Sequence, residues 1–360
     1  MLWALILQPA HQQIKVIGCD WRIHQKLDTR EPNDVDGPDK PGHYRNRQGN
    51  QRVTGLFLFD LEQGVMDQTN ILEFLPLESW RGPFTVETQS RALEALETGK
   101  VVVLPHLPFA VEANETKFLA PAISGDARKN ISFDPLTRKI SNTARDQDGA
   151  AQLTEMMDRF GGQASQLLRD LIPSYASRLV RARTSYRPQE IEGRVYPPRQ
   201  DDTRLHVDAF PSRPARGRRI LRLFTNIAGD GAARRWCVGE PFPGFAQKFM
   251  PRIKPPLPGS SWLLERLGIT KEKRSAYDHY MLALHDQGKL DAQYQKQATK
   301  TNVEFDAGAT WFCFTDQVLH AALAGHAALE QTFYLPVEAM SAPSHSPLRV
   351  LEGLTGRALV

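Results

Sequence analysis

The apolar positions of the chain change period once along its length. In LTEMMDRFGGQASQLLRDLI, residues Leu153, Met156, Met157, Phe160, Leu167, Leu168 and Leu171 recur at steps of three and four, the spacing that gives an α-helix one apolar face. Gly161 and Gly162 interrupt that stripe, so a break is expected there. TQSRALEALETG predicts a shorter helix stopped at Gly99, with a strand over Val101–Leu104 behind it, and VTGLFLFDLE further upstream also reads as a strand. From Ser177 onward the apolar runs shorten. SRLVRARTSY, RLHVDAF, RRILRLFTNI, TNVEFDAGATWFCFT and EQTFYLP are β-branched or aromatic and are punctuated by Pro, Gly and Asp. Five such segments predict a mostly β sandwich or barrel with flanking helices. A helical insertion at about residues 241–298 divides them, with FAQKFM, SWLLERLGI and SAYDHYMLALHDQGKLDAQYQKQA as its helical pieces.

Segments without a period set the boundaries. Arg30–Gln51 is rich in Gly, Pro, Asn and Asp and reads as a loop or disordered connector. Residues 1–55 are therefore expected to be an extension and linker, 56–340 the folded domain, and 341–360 a tail. The opening MLWALILQPA has no basic region before it and no clear cleavage site after it, which argues against a signal peptide. No run reaches the roughly 18 apolar residues of a spanning helix. A cytoplasmic protein, or one peripheral to the inner face of the inner membrane, is expected.

Composition adds one constraint. The chain has 360 residues, 24% of them charged, and a net charge of only +4. Yet Arg213, Arg216, Arg218, Arg219 and Arg222 crowd into one segment, with Arg234 and Arg235 soon after. An anionic partner is implied. Stacking aromatics are sparse around this cluster and charge elsewhere is balanced, which argues against nucleic acid. Three scattered cysteines fit a reducing compartment better than a disulfide framework.

The arginine-rich segment opens with LHVD. On a strand, side chains two apart share a face, so His206 and Asp208 would present an imidazole nitrogen beside a carboxylate. His-x-Asp is short and common by chance, and a metal site needs a third ligand. His279 and His285 fall in the helical insertion, His345 in the tail, and His326 at a glycine turn. His320 follows the strand ATWFCFT and precedes another, the context a facial triad requires. Two histidines and one carboxylate with open positions point to a non-haem Fe(II) oxygenase. Catalytic zinc uses the same set, and a hydrolase of that kind would need an acid/base such as Glu240 or Glu330.

An Fe(II) oxygenase of this class uses 2-oxoglutarate and O2, and the distal carboxylate of 2-oxoglutarate needs a buried cation. No Arg or Lys lies between His320 and Pro336, where many relatives carry one. The alternation of RILRLFTN puts Ile220, Arg222, Phe224 and Asn226 on one face, making Arg222 the candidate, with Asn226 and, on the last strand, Gln331 beside it.

LHVDAFPSRPARGRRILRLFTNI, with RRWCVGEPF and FTDQVLHAALAG, resembles the bacterial Kdo (3-deoxy-D-manno-oct-2-ulosonic acid) hydroxylase family, from about Leu75 to Pro336. The resemblance implies a double-stranded β-helix core of the jelly-roll or cupin type. It implies Fe(II), 2-oxoglutarate and O2, with His206, Asp208 and His320 as metal ligands. The substrate implied is the Kdo of a Kdo-containing lipid A precursor, hydroxylated at carbon 3. Arg213, Arg216, Arg218 and Arg219 then become candidates for a substrate-attracting rim. Phe245, Phe249, Trp262 and Leu263 of the insertion, among Lys248, Arg252 and Lys254, would pack in the core, cover the site or touch a membrane surface. No protein partner is predicted.

Overall fold

A computed structural model describes residues 71–119, 130–143 and 147–360, apart from 258, 260, 261, 263, 264, 269 and 271. The strand expected in VTGLFLFDLE and the connector at Arg30–Gln51 lie outside the described residues. In chain order the elements are β1 (Leu72–Phe74), α1 (Val86–Glu97), β2 (Val101–Leu104), β3 (Ile131–Asp134), β4 (Lys139–Ser141) and α2 (Gln147–Leu171). They continue with β5 (Val180–Arg187), β6 (Arg219–Asn226), β7 (Arg234–Val238), α3 (Phe242–Phe249), α4 (Ala276–Leu290) and α5 (Ala292–Gln297). The last are β8 (Thr301–Phe305), β9 (Thr310–Phe314), β10 (His320–Ala324), β11 (Ala328–Leu335) and α6 (Pro347–Thr355).

Two sheets form. The larger runs β1-β2-β9-β6-β11-β5-β3-β4, the smaller β10-β7-β8. Among the described residues only β1 and β2 pair in parallel; the other pairings are antiparallel. The alternation of β6 separates two cores. Leu221 and Leu223 belong to the larger one, together with Leu153, Met157 and Phe160 of α2 and Ala92 and Leu96 of α1. Phe224 points the other way, into a cluster with Trp311 of the large sheet and Trp236, Val303 and Phe305 of the small one. Phe305 and Trp311 stack at 4.0 Å, and Phe224 lies 5.4 Å from Trp311. The sandwich interior is thus aromatic at one end.

Four sequence expectations change. RLHVDAF is not a strand: its pairing is one antiparallel bridge, His206 with His320. Helix α2 runs unbroken through Gly161 and Gly162. A Cβ at Gly161 would come within 2.2 Å of the Arg181 guanidinium and 2.4 Å of Gln331 Oε1, so this glycine lets the helix lie close against the sheet. The predicted final helix of the insertion divides at Asp291, whose side chain caps α5 by accepting from Tyr294 N at 2.8 Å. Beyond 340, where a tail is expected, α6 buries Leu348 and Leu351 in the larger core. Sequence reading also missed β1, β3, β4, β7 and β10.

Candidate metal centre and its cavity

His206 and His320 are brought together by the bridge. Each backbone N–H donates to the other's carbonyl, at 3.0 and 2.9 Å, and Asp208 N donates to Thr315 O at 2.8 Å. Both imidazoles are locked in the same way: His206 Nδ1 lies 2.7 Å from Arg204 O, and His320 Nδ1 lies 2.9 Å from Val318 O. A carbonyl can only accept, so Nδ1 donates in each ring and Nε2 carries the lone pair. Trp236 stacks on His320 at 5.1 Å, and His285 of α4 stands edge-on to His206 at 5.5 Å. One ligand atom from each of His206, Asp208 and His320 lies within 4.8 Å of the others, and all three residues are buried.

Electrostatics prepare these groups to bind a cation. Burial, then the neighbouring His320, drives His206 well below its ordinary 6.5, and burial also lowers His320. Burial works against ionisation of Asp208, but Arg222, aided by a hydrogen bond from Thr315, outweighs it and holds the carboxyl below its ordinary value. Two neutral imidazoles and one carboxylate result, a donor set suited to a divalent first-row metal. Asp208 Oδ2 has no hydrogen-bond partner among the described residues, although it lies 3.1 Å from Arg222 Nη1. A bound metal ion would satisfy that orphaned oxygen.

Around the triad runs a chain of alternating charge. Arg222 Nε faces Glu330 Oε1 at 3.4 Å, Glu330 pairs with Arg187 at 2.7 Å, and Arg187 faces Asp202 at 3.6 Å. Asp202 in turn lies 3.8 Å from Lys289 Nζ. Arg187, Arg222, Asp202 and Lys289, together with Arg199, Arg234, His285 and Trp236, border a cavity of about 480 Å³ that contains the three candidate ligands, with Glu330 bracing two of its arginines from behind; the volume suits small-molecule binding.

The other candidates separate by position. Arg222 lines the cavity, as its strand face requires. Asn226 is fully buried, and its amide is occupied by Ala232 O, Phe305 O and Ala228 N, so it braces the turn after β6. Gln331 faces α2: its carbonyl accepts from Thr184 Oγ1 at 2.6 Å and its amide donates to Thr332 O. It does not line the cavity. Arg219 is wholly buried against Asp316 at 2.8 Å, lies over Phe314 and cannot form a rim. Arg218 covers Tyr334, and Arg216 reaches Glu272 at 3.6 Å. Neither they nor Arg213 border the cavity. Of the hydrolase acids, Glu240 pairs with Lys248 at 2.9 Å, and Glu330 is clamped between two arginines that outweigh its burial and keep it ionised. His326 sits in the β10–β11 turn, 3.5 Å from both Glu190 and Asp230. In the insertion, Phe245 and Phe249 are buried in the larger core, whereas Trp262 is 58% exposed; Leu263 lies outside the described residues.

Sequence reading missed four cavity residues. Arg187 and Arg234 sit on strands whose period was legible: Arg234, Trp236 and Val238 alternate with the exposed Arg235. Arg234 is 3% exposed, donates to Gly325 O at 3.0 Å and makes no ion pair among the described residues. Burial, then Arg187 and Arg194, pushes its pKa down to about 9. Gly325 permits this close approach: a Cβ there would meet Arg234 Cα at 3.0 Å. The i, i+4 spacing of His285 and Lys289 put both on one face of a helix, but which face the sheet would meet was not readable.

A β-sheet sandwich holding two buried histidines and an aspartate around a polar cavity defines a mononuclear metal enzyme of the two-histidine, one-carboxylate kind. The family model for 3-deoxy-D-manno-oct-2-ulosonic acid (Kdo) hydroxylase matches residues 79–358, and the chain belongs to that family. It is similar, at 46% identity, to solved structures of the Kdo hydroxylase KdoO, a non-haem Fe(II) α-ketoglutarate-dependent dioxygenase. The cobalt(II) complex covers 81% of this chain and 97% of its own, with a TM-score of 0.78. The complex with α-ketoglutarate and Fe(III) covers 80% and 97% with the same TM-score, and that with succinate and Fe(III) covers 81% and 97% at 0.77. No curated protein matches the chain.

Proposed function

We propose that this chain is an Fe(II)- and 2-oxoglutarate-dependent dioxygenase that hydroxylates carbon 3 of Kdo in a Kdo-containing lipid A precursor, giving D-glycero-D-talo-oct-2-ulosonic acid. The observation that carries the reading is the convergence of His206, Asp208 and His320 within 4.8 Å in a cationic cavity of a Kdo-hydroxylase-family chain. A double-stranded β-helix is supported by the strand orders β5-β11-β6-β9 and β10-β7-β8, with the residue-206 bridge as a fourth line of pairing in the small sheet.

His206, Asp208 and His320 would hold the iron. Bound Fe(II), with 2-oxoglutarate and dioxygen, supplies the oxidant that exchanges a C–H for a C–OH while 2-oxoglutarate becomes succinate and carbon dioxide. The protein's own groups prepare that chemistry. The carbonyls of Arg204 and Val318 hold both imidazoles in the tautomer that points Nε2 at the metal. Arg222 keeps Asp208 ionised and is itself braced by Glu330. Because Arg222 is engaged in this way, the distal carboxylate of 2-oxoglutarate is assigned instead to Arg234, a buried cation that lacks a carboxylate partner among the described residues. Phe224, Trp236 and Trp311 form a buried aromatic wall beside it. No helix among the described residues is long and apolar enough to cross a membrane. Exposed Leu257 and Trp262, near Lys254 and Arg266, support a peripheral contact with the membrane surface that presents the lipid substrate, which for a cytoplasmic enzyme is the inner face of the inner membrane.

The test is succinate release by Fe(II)-loaded protein given oxygen and 2-oxoglutarate, with and without Kdo₂-lipid A, followed by mass spectrometry of the lipid. Succinate that depends on the lipid, together with a gain of one oxygen on Kdo, is expected. Lipid of unchanged mass would refute the substrate, and absence of succinate would refute the class.

A further inference from the structure

Hydroxylation next to an acid-bearing carbon places a demand on the cavity. In Kdo the carboxylate is carbon 1 and the attacked carbon is carbon 3, two bonds away, so whatever holds that carboxylate must sit beside the candidate metal ligands. Five cationic side chains border the cavity, Arg187, Arg199, Arg222, Arg234 and Lys289, against two carboxylates, Asp202 and Asp208. Geometry removes four of them. Arg187 and Arg222 are held by Glu330, and Arg222 also by Asp208. Arg199 is largely exposed and pairs with Asp286 at 3.2 Å. Arg234 shares its strand face with Trp236, on the side read as the cosubstrate pocket.

Lys289 differs from these in its origin and burial. It comes from the helical insertion, one turn after His285, whose ring stands against His206. Its side chain is only 2% exposed, yet it borders the cavity. An ammonium taken that far from water is costly unless anionic and polar groups surround it. Arg199 O at 3.3 Å and Asp202 Oδ1 at 3.8 Å are among the groups around it. The helix that carries it is fixed rather than hinged. Arg204 donates to Lys289 O at 2.6 Å. Gln295 accepts from Leu205 N and donates to Leu205 O and Gly288 O, each at 2.9 Å. The insertion is thereby tied to the two residues that precede His206, so Lys289 and the candidate metal ligands move as one unit.

We propose that Lys289, projected by the insertion helix into the catalytic cavity, is the cation that binds the sugar-acid carboxylate of the substrate and so aims carbon 3 at the metal centre. This rests on the Kdo-hydroxylase reading, and it makes the insertion the element that selects a 2-keto sugar acid over a neutral sugar. The carboxylate joins the ammonium of Lys289 opposite Asp202, while the imidazole of His285 closes the wall above His206.

The experiment measures, by titration calorimetry on metal-loaded protein with 2-oxoglutarate under nitrogen, the dissociation constants of the methyl α-glycoside of Kdo and of its methyl ester. The wild type is expected to prefer the acid by roughly 10- to 100-fold, the range for a hydrogen-bonded charge. Lys289→Met is expected to bring that ratio to within about twofold, and Lys289→Arg to retain most of it. Should Lys289→Met fail to melt cooperatively, Lys289→Gln is read by the same criterion. A folded Met or Gln variant that still distinguishes acid from ester, or a wild type that does not, overturns the assignment. A wild type that oxidises Kdo₂-lipid A yet binds acid and ester alike sinks only the Lys289 subsite, whereas a wild type that leaves the lipid unoxidised sinks the underlying function.

Discussion

Neighbouring residues of β6 face two different interiors. Leu221 and Leu223 look toward α1 and α2, and the two polar side chains that β6 and β11 bury on that side are satisfied within the protein: Gln331 by Thr184 and backbone carbonyls, Arg219 by Asp316 and Gln317. Arg222 looks toward the small sheet, where the buried polar groups are left incomplete. Asp208 Oδ2 and Arg222 Nε lack hydrogen-bond partners among the described residues, and Arg234 lacks an ion-pair partner there. Since buried polar groups are normally paired, the incomplete cluster around Asp208, Arg222 and Arg234 is where a ligand belongs. One face of the sheet is built for stability, the other for binding.

Substitutions on the two faces should therefore fail in different ways. The largest effect is expected from Asp208→Ala, which removes the only carboxylate of the donor set: turnover falls to background while the thermal transition stays cooperative. Normal succinate formation by this variant would end the distinction. Next is Arg234→Met. Losing a charged hydrogen bond costs about 2–3 kcal/mol and should raise the KM for 2-oxoglutarate roughly 30- to 150-fold. A larger rise in Arg222→Met than in Arg234→Met would return the cosubstrate to the β6 arginine.

On the opposite face the readout is stability. Gln331→Leu strands the Thr184 hydroxyl and should cost about 1–3 kcal/mol in urea unfolding, with both KM values unchanged. A KM change without loss of stability would mean that the two faces are not separate.

The smallest effect concerns Asp158 of α2. Its burial opposes ionisation, but Arg138 and Arg181 hold it below its ordinary 3.8. A depressed carboxylate stabilises the fold above the unfolded value and loses that contribution as pH falls through the folded one. The melting-temperature gap between wild type and Asp158→Asn should be present at pH 7 and close as pH drops below 3.8; a gap that widens in acid would contradict the ion pairing.

The contrast between faces also explains what could be read from sequence. His206-x-Asp208 was legible because two residues suffice to place both groups, although a single bridge rather than a strand holds them. Arg222 was legible through the parity of β6. The same parity puts Arg219, three residues earlier, on the other side, and that residue indeed lies in the core. Glu330 and Gln331 could not be told apart in advance. Nearly all of β11 is buried on both faces, which erases the alternation, and only its register settles the matter by setting Glu330 opposite Phe224 and Gln331 opposite Leu223. His285 and Lys289 depend on how the insertion docks through Gln295, a long-range contact that no local period encodes.

The central claim is that this cavity activates dioxygen against one carbon of Kdo. The most direct measurement supplies ¹⁸O₂ to the Fe(II)-loaded wild type with 2-oxoglutarate and Kdo₂-lipid A, and locates the label by tandem mass spectrometry and NMR. The account predicts one ¹⁸O in succinate and one in a new hydroxyl at carbon 3 of Kdo. A hydroxyl elsewhere on the lipid, or an unlabelled product whose added oxygen comes from water, would contradict it.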